Sequence, residues 1–448
     1  MPALIRPEVV RALAAAASPY VHIITIATKP DIIKQAPVYH ELVSRGEQVL
    51  LCHTGQHHDH RYSGAMLEEF GLQSDIELTI SGSLPSKVAH MIAQFSEVLT
   101  LLREAGLTPV PYIHGDTATS MAIGVSSYLQ GVACAHVEAG IRTLTPRREV
   151  YQRFLDDFRA DRFVWADYAE ALRDPSNFER GSREPFPEQF NTRVSDAATG
   201  FHAAPVELAR QFLLDEGFPA DTVAVVGNTV VDATEAARRD AERATIFDTY
   251  PQLRGGGFIR MCIHRRENTV DRHRFTVLFE AIEQLVRGGH PVLLISLFGT
   301  EQAIDDFGFR PRIDDLVQDY PETFIYSEVW PNYRDVIAAM LECSVVATDS
   351  GSMQEEMTIL GIPCVTLRFG TDRAESVLAG ANVMAPPIDS RFVATIIEGA
   401  LGNQAMAEVG NLYGANASAR LVDEVLSRLH PASGLFRSED RRLDLQVS

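Results

Sequence analysis

Thr348-Asp349-Ser350-Gly351-Ser352-Met353-Gln354-Glu355-Glu356 decides the reading of the fold. It follows the β-branched run Ser344 to Ala347 and precedes Gln354 to Leu360, which reads as helix. A strand that stops at Ser-Gly-Ser and restarts as a helix gathers unpaired N–H groups and the positive end of a helix dipole at one point, which is a seat for an anion. Ser350, Gly351 and Ser352 are small enough to let a phosphate reach the backbone, and Glu356 is placed one turn on to accept hydrogen bonds from sugar hydroxyls. Alone, an Asp-Ser-Gly turn is more often an ordinary strand-to-helix cap. The surrounding chain therefore carries the weight.

Outward from this turn the same unit recurs. Tyr20 to Ala27 is a continuous apolar run of the kind a buried parallel strand needs, and it ends in Thr28-Lys29-Pro30-Asp31 with Pro30 suited to a helix's first turn. Gln48 to Cys52, Val110 to His114 and Val132 to Val137 continue the series at helix-sized spacing. A second series follows: Val223 to Val226, Phe258 to Ile263, Val292 to Ile295, Phe324 to Ser327, Val345 to Ala347, Cys364 to Leu367 and Val383. Two such series predict an α/β chain of two doubly wound, Rossmann-like domains facing a central cleft, with ligands at the carboxyl ends of the strands. The expected division is an extension 1–18, a first domain 19–206, a second domain 207–414, a crossover helix 415–431 and a tail 432–448. Residues 144–186 break the rhythm: densely charged, with Val150, Phe154 and Phe158 four apart, they read as an amphipathic insertion in the first domain. A lid, a dimer contact and a solvated decoration all fit it.

Composition bounds the partners. The chain has 448 residues, 46% of them hydrophobic, and no apolar run near the roughly 18 residues of a membrane span. A net charge of −20 excludes nucleic acid and anionic membrane as natural partners. Residues 10–17 are apolar but short and interrupted by Arg11, so they predict an added helix rather than an export signal. Five scattered cysteines without metal or disulfide spacing point to the cytoplasm. Only three lysines occur, and Lys29 and Lys34 share one loop.

Polar clusters fall at the predicted strand ends. Lys29, Lys34, Arg373 and the Ser350-Gly351-Ser352 turn can bind a pyrophosphate without a metal or cofactor. Asp116, Glu138 and Glu188 in one half and His264 in the other can serve as acids and bases, since carboxylates sharing a site raise one another's pKa. His114 and His136 read as packing residues. Hydride transfer is disfavoured because no G-x-G-x-x-G follows the first strand, and no G-x-S-x-G elbow is present.

Taken in order, Thr28-Lys29-Pro30-Asp31 with Lys34, Thr54-Gly55-Gln56-His57, His114-Gly115-Asp116-Thr117, His136 to Thr143, Pro187-Glu188, Gly227-Asn228-Thr229, His264 to Asn268 and Asp349 to Glu356 resemble the non-hydrolysing UDP-N-acetylglucosamine 2-epimerases over about residues 20–430. The resemblance implies a glycosyltransferase-B-like architecture, a UDP-sugar substrate, commonly a homodimer, and interconversion of UDP-GlcNAc and UDP-ManNAc through elimination and re-addition of UDP. It implies acid–base roles for Asp116, Glu138 and Glu188, a place near the leaving UDP for His264, and diphosphate contacts for Lys34, Ser350 and Arg373. It further implies a ribose contact for Glu356 and a substrate strip at Gln56 and His57; Lys29, Arg142, Asn228, Gly351 and Ser352 complete the candidate binding set.

The chain also departs from that pattern. Lys29 and Asp31 replace an Arg and a Glu, Thr192 an Arg, Ser352 a Gly and Phe298 a His, and the 144–186 insertion separates Glu138 from Glu188. A hydrolysing form that releases ManNAc, an epimerase of a modified UDP-sugar and a sugar-nucleotide-binding pseudoenzyme therefore stand beside the 2-epimerase. A glycosyltransferase would need an acceptor site, and no segment supplies one.

Overall fold

The computed structural model describes residues 4–55, 60–181 and 187–429. Its strands are β1 Tyr20–Ile26, β2 Val49–His53, β3 Ile76–Glu77, β4 Thr108–His114, β5 Ala135–Val137, β6 Leu144–Pro146, β7 Phe178–Arg180, β8 Phe201–Ala204, β9 Val223–Val225, β10 Phe258–Cys262, β11 Val292–Ser296, β12 Phe324–Glu328, β13 Cys343–Thr348, β14 Cys364–Thr366 and β15 Asn382–Met384. They build two parallel sheets, ordered β3-β2-β1-β4-β5-β8-β9 and β12-β11-β10-β13-β14-β15, and an antiparallel ribbon β6-β7. In each sheet the first strand is central and the winding reverses beside it, between β1 and β4 and between β10 and β13. Ligands of doubly wound sheets bind at such switch points.

The first unit comprises Met1–Ile141, Pro187–Ala233 and Gly414–Ser448. β1 is buried almost throughout because both neighbours pair with it, which is why its sequence is continuously apolar rather than alternating. Helix Leu84–Glu104 covers one face through Met91, Phe95, Val98, Leu99 and Leu102, an i, i+4, i+7 stripe. Helix Pro7–Ala14 adds Val9, Val10 and Leu13 to the same cluster, and Leu4 joins it from ahead of the helix. Helix Ala417–Arg428 belongs here too: Asp232 accepts from the Ser418 N–H (2.8 Å) and hydroxyl (2.6 Å), and Arg45 reaches the Ala419 carbonyl at 3.2 Å.

The second unit comprises Arg142–Phe186 and Thr234–Tyr413. Two expectations change at this level. Val223–Val225 closes the first sheet rather than opening the second, so the chain crosses over after Ala233 instead of at 206. The insertion also changes allegiance. The Leu144 and Thr371 amides and carbonyls bond reciprocally at 2.9 Å, the Tyr151 hydroxyl donates to the Phe369 carbonyl at 2.8 Å, and the Tyr168 hydroxyl to the Met384 carbonyl at 2.7 Å. Helix Arg148–Arg159 buries Tyr151, Phe154 and Leu155; Phe158, Phe163 and Tyr168 meet Phe392 of helix Ser390–Ala400 edge to face, and Phe154 joins the cluster through Phe163 and Tyr168. Trp165 lies over Gly399, where a Cβ would approach the indole to 2.1 Å. An aromatic stripe this large needs an apolar partner, and the second unit provides it.

Candidate functional site

In the first unit β4 ends at His114, and Gly115 turns the chain at φ 62°. Thr117 then caps helix Ala118–Leu129 by accepting from the Ser120 N–H at 3.1 Å, which leaves Asp116 partly exposed at the tip of the turn. His136 acts as a strut: its ring bonds the Gly115 carbonyl and the Asp196 carboxylate, each at 2.7 Å. Asn191 donates to the Asp116 carbonyl at 3.0 Å from helix Pro187–Ala197, whose first turn contains the partly exposed Glu188.

Glu138 follows β5 with φ 67°, a left-handed conformation that costs a non-glycine residue roughly 1–3 kcal/mol. Its carboxylate is buried and accepts from the Lys34 ammonium at 2.9 and 2.8 Å and from His114 Nε2 at 2.7 Å. His114 Nδ1 meets Asp31 at 2.9 Å, and Asp31 in turn accepts from the Thr28 N–H and hydroxyl, both at 2.9 Å. Burial works against charge on His114, but its bonds to Asp31 and Glu138 outweigh that, and its pKa rises from 6.5 to about 9. His114, read from sequence as a packing residue, is thus bonded to a candidate carboxylate, and Asp31 was missed. Lys34, for which a diphosphate contact was expected, is engaged by Glu138 because an ammonium that is 1% exposed requires a counter-charge. Lys29 is partly exposed at the first position of helix Lys29–Ser44, and Asn228 Oδ1 accepts the Val230 N–H at 3.0 Å at the start of helix Val230–Arg239. Gln56 and His57 lie outside the described residues.

In the second unit, fully buried Asp349 joins the two strand ends at the switch point. It accepts from the His264 N–H at 2.9 and 3.1 Å, the Arg265 N–H at 3.0 Å and the Asn268 amide at 3.0 Å. Sequence reading had placed Asp349 in the motif without a role. Ser350 opens helix Gly351–Leu360, and its N–H bonds the Thr348 hydroxyl at 3.0 Å. Arg373 lies against this helix start: a Cβ on Gly351 would sit 3.5 Å from the guanidinium carbon, in ordinary contact with it. Arg373 pairs with Glu355 and lies 3.5 Å from Asp372, which also takes Arg368 at 2.9 Å and Arg265 at 3.8 Å. Burial would raise the Asp372 pKa, but the three guanidiniums hold it well below the usual carboxylate range. Ser352 is partly exposed, and Glu356 accepts the Tyr333 hydroxyl at 2.9 Å. Arg142 is buried in the same unit. Phe298 opens helix Phe298–Phe307 after β11 and is 85% exposed. Among the described residues no three His, Cys, Asp or Glu side chains converge as a metal set, and no helix is long and apolar enough to cross a membrane.

The chain is similar to known proteins over most of its length. It is 26% identical to a UDP-N-acetylglucosamine 2-epimerase of Methanococcus maripaludis over 368 residues, covering 81% of this chain and 87% of that one. Against the enzyme of the same name from Neisseria meningitidis serogroup A it is 26% identical over 414 residues, covering 89% and 97%. It is equally similar, 26% over 409 residues and covering 90% and 98%, to a UDP-2,3-diacetamido-2,3-dideoxy-D-glucuronate 2-epimerase of Pseudomonas aeruginosa. The crystal structure of the Methanocaldococcus jannaschii UDP-GlcNAc 2-epimerase in complex with UDP-GlcNAc and UDP superposes with a TM-score of 0.72 at 24% identity, covering 91% of this chain and 99% of that one, and so shares the fold. The family described as UDP-N-acetylglucosamine 2-epimerase matches residues 40–158 and 179–427, and the break falls inside the aromatic insertion. With more than half of its length matched, the chain belongs to the UDP-N-acetylglucosamine 2-epimerase family of isomerases.

Proposed function

We propose that the protein interconverts UDP-GlcNAc and UDP-ManNAc without releasing free sugar, as a cytoplasmic homodimer that needs no metal or nicotinamide. The C1–O bond to UDP breaks and its electron pair leaves with the diphosphate, while the C2–H pair becomes the C1–C2 double bond of a 2-acetamidoglucal. The proton passes to a carboxylate drawn from Asp116, Glu138 and Glu188, a proton returns on the other face, and UDP adds back at C1. His264, Ser350, Gly351, Ser352 and Arg373 hold the leaving diphosphate, with Lys29 as a further cation and Glu356 on the ribose, while Lys34 serves the Glu138 carboxylate. Gln56, His57, Arg142 and Asn228 bind the rest of the substrate.

The observation that supports this reading most is the coupling of the His264 loop to the Ser350 helix start through Asp349, beside a guanidinium packed on Gly351. Unpaired helix N–H groups, an imidazole and an arginine together suit a leaving diphosphate. The test is proton NMR of the purified protein with UDP-GlcNAc in D2O. UDP-ManNAc with deuterium at C2 is the expected product; free ManNAc with UDP would replace this reading by the hydrolysing one. A second reading, a modified UDP-sugar as substrate, draws on the equal similarity to the diacetamidoglucuronate 2-epimerase. Deuterium incorporation into that sugar but not into UDP-GlcNAc would favour it.

A further inference from the structure

We propose that Arg260 is a positioning residue of the diphosphate seat, a buried positive charge set against the first turn of helix Gly351–Leu360 and joined to the Ser350 turn through Met353 and Thr348. This deepens, and rests on, the reading of that turn as the place of the leaving diphosphate. Arg260 lies in the middle of β10, paired with Leu293 of β11 and Val346 of β13, so its side chain leaves the sheet two residues short of the carboxyl end. It is 5% exposed. Nη1 meets the Met340 sulfur at 3.2 Å and the Met353 sulfur at 3.5 Å, and Nε is buried without an acceptor. Among the described residues no carboxylate hydrogen-bonds the guanidinium. Both sulfurs belong to a buried apolar cluster with Cys262, Val346, Met357 and Cys364.

Other buried cations of this chain have a carboxylate of their own, Glu138 for Lys34 and Glu355 for Arg373; Arg260 is an exception. Thioether sulfur is a weak acceptor and returns little of the hydration that a guanidinium loses on burial. Burial pushes the Arg260 pKa down against the pull of the Glu356 carboxylate, yet an arginine keeps its proton. The fold alone would be served better by an apolar side chain of similar reach. What the charge can serve lies beside it. Met353 is the third residue of helix Gly351–Leu360, and its sulfur also takes the Thr348 hydroxyl at 3.7 Å, while the Thr348 oxygen accepts the Ser350 N–H at 3.0 Å. With its proton committed to sulfur, the hydroxyl offers a lone pair to Ser350 and so fixes the turn. The Gly351 and Ser352 N–H groups, in the helix's first turn, have no carbonyl partner within the helix. A diphosphate on those donors would be the anion that the buried guanidinium lacks, and in a poorly polarisable interior the attraction carries past the intervening sulfur.

Calorimetric titration with UDP and with uridine, which lacks the phosphates, tests this. Arg260→Met removes the charge and keeps an unbranched chain of similar reach. It is expected to resist denaturant at least as well as wild type and to bind UDP roughly tenfold more weakly, with uridine affinity unchanged. Arg260→Lys should recover most of the UDP affinity. Met353→Leu, which takes away the shared sulfur, should weaken UDP binding several-fold. Combined with Arg260→Met it should lose less than the two single losses multiplied together, because both act along one path. Equal loss for UDP and uridine in Arg260→Met, or a variant that no longer folds, would overturn the inference by making Arg260 a purely structural residue. Wild type that does not bind UDP would overturn the diphosphate seat and this role with it; wild-type binding that Arg260→Met leaves unaltered would overturn this role alone.

Discussion

The carboxylate of Asp349 and the backbone N–H of His264 lie 2.9 Å apart, and that bond ties the end of β10 to the turn that starts helix Gly351–Leu360. Two further N–H donors, from Arg265 and the Asn268 side chain, converge on the same buried carboxylate. Asp349→Ala is therefore expected to leave several buried donors without acceptors and to cost about 2–4 kcal/mol, read as a lowered denaturation midpoint. Turnover should fall more steeply than stability, since His264 and Ser350 lose their common anchor.

His114 makes stability depend on pH. Its folded pKa of about 9 lies above the 6.5 expected when unfolded, so the protonated ring stabilises the fold fully below pH 6.5. That contribution, on the order of 3 kcal/mol, declines between pH 6.5 and 9 and is absent above. Chemical denaturation across this window should show the decline in wild type and a flatter profile in His114→Gln.

Gly140, two residues after Glu138, holds φ 79°, and a Cβ there would stand 2.5 Å from the Ala209 carbonyl and 2.8 Å from Leu213. Gly140→Ala is expected to destabilise by about 2 kcal/mol or more through left-handed strain and backbone collision combined. Calorimetry of the variant checks it.

The insertion is structural in the second unit. Removing the Tyr168 ring, which is fully buried against Phe154 and Phe392, should cost about 3–5 kcal/mol in Tyr168→Ala. Thermal unfolding should show the loss; a silent substitution would mean that the aromatic cluster is not a core.

Phe298 offers the opposite case. With 85% of its surface exposed, Phe298→Ala should leave stability within about 0.5 kcal/mol. If the ring packs on the nucleotide, KM for the UDP-sugar rises several-fold while kcat holds, and initial-rate kinetics separate the two.

Much of this was legible in the residues themselves. The apolar run that became β1 and the shorter β-branched runs in β10 and β13 read as strands of a parallel sheet, and the polar clusters at their ends marked where a doubly wound sheet binds its ligand. Asp116, Glu138, His264 and the Ser350 turn follow such strand ends, whereas Glu188 lies in the first turn of helix Pro187–Ala197. Two-residue β3 and β8, with His202 inside it, were not legible, because short or polar-interrupted strands owe their existence to neighbours already in register. The apolar stripe near Phe154 announced burial but not against what; only the three-dimensional path brings Phe392 and Met384 to it. Likewise Lys34, His114 and Asp31 each looked like a separate feature of its own segment. They act on one carboxylate because burial forbids an unpaired charge, and the partner that satisfies it lies 104 residues away from Lys34, at a separation no local pattern encodes.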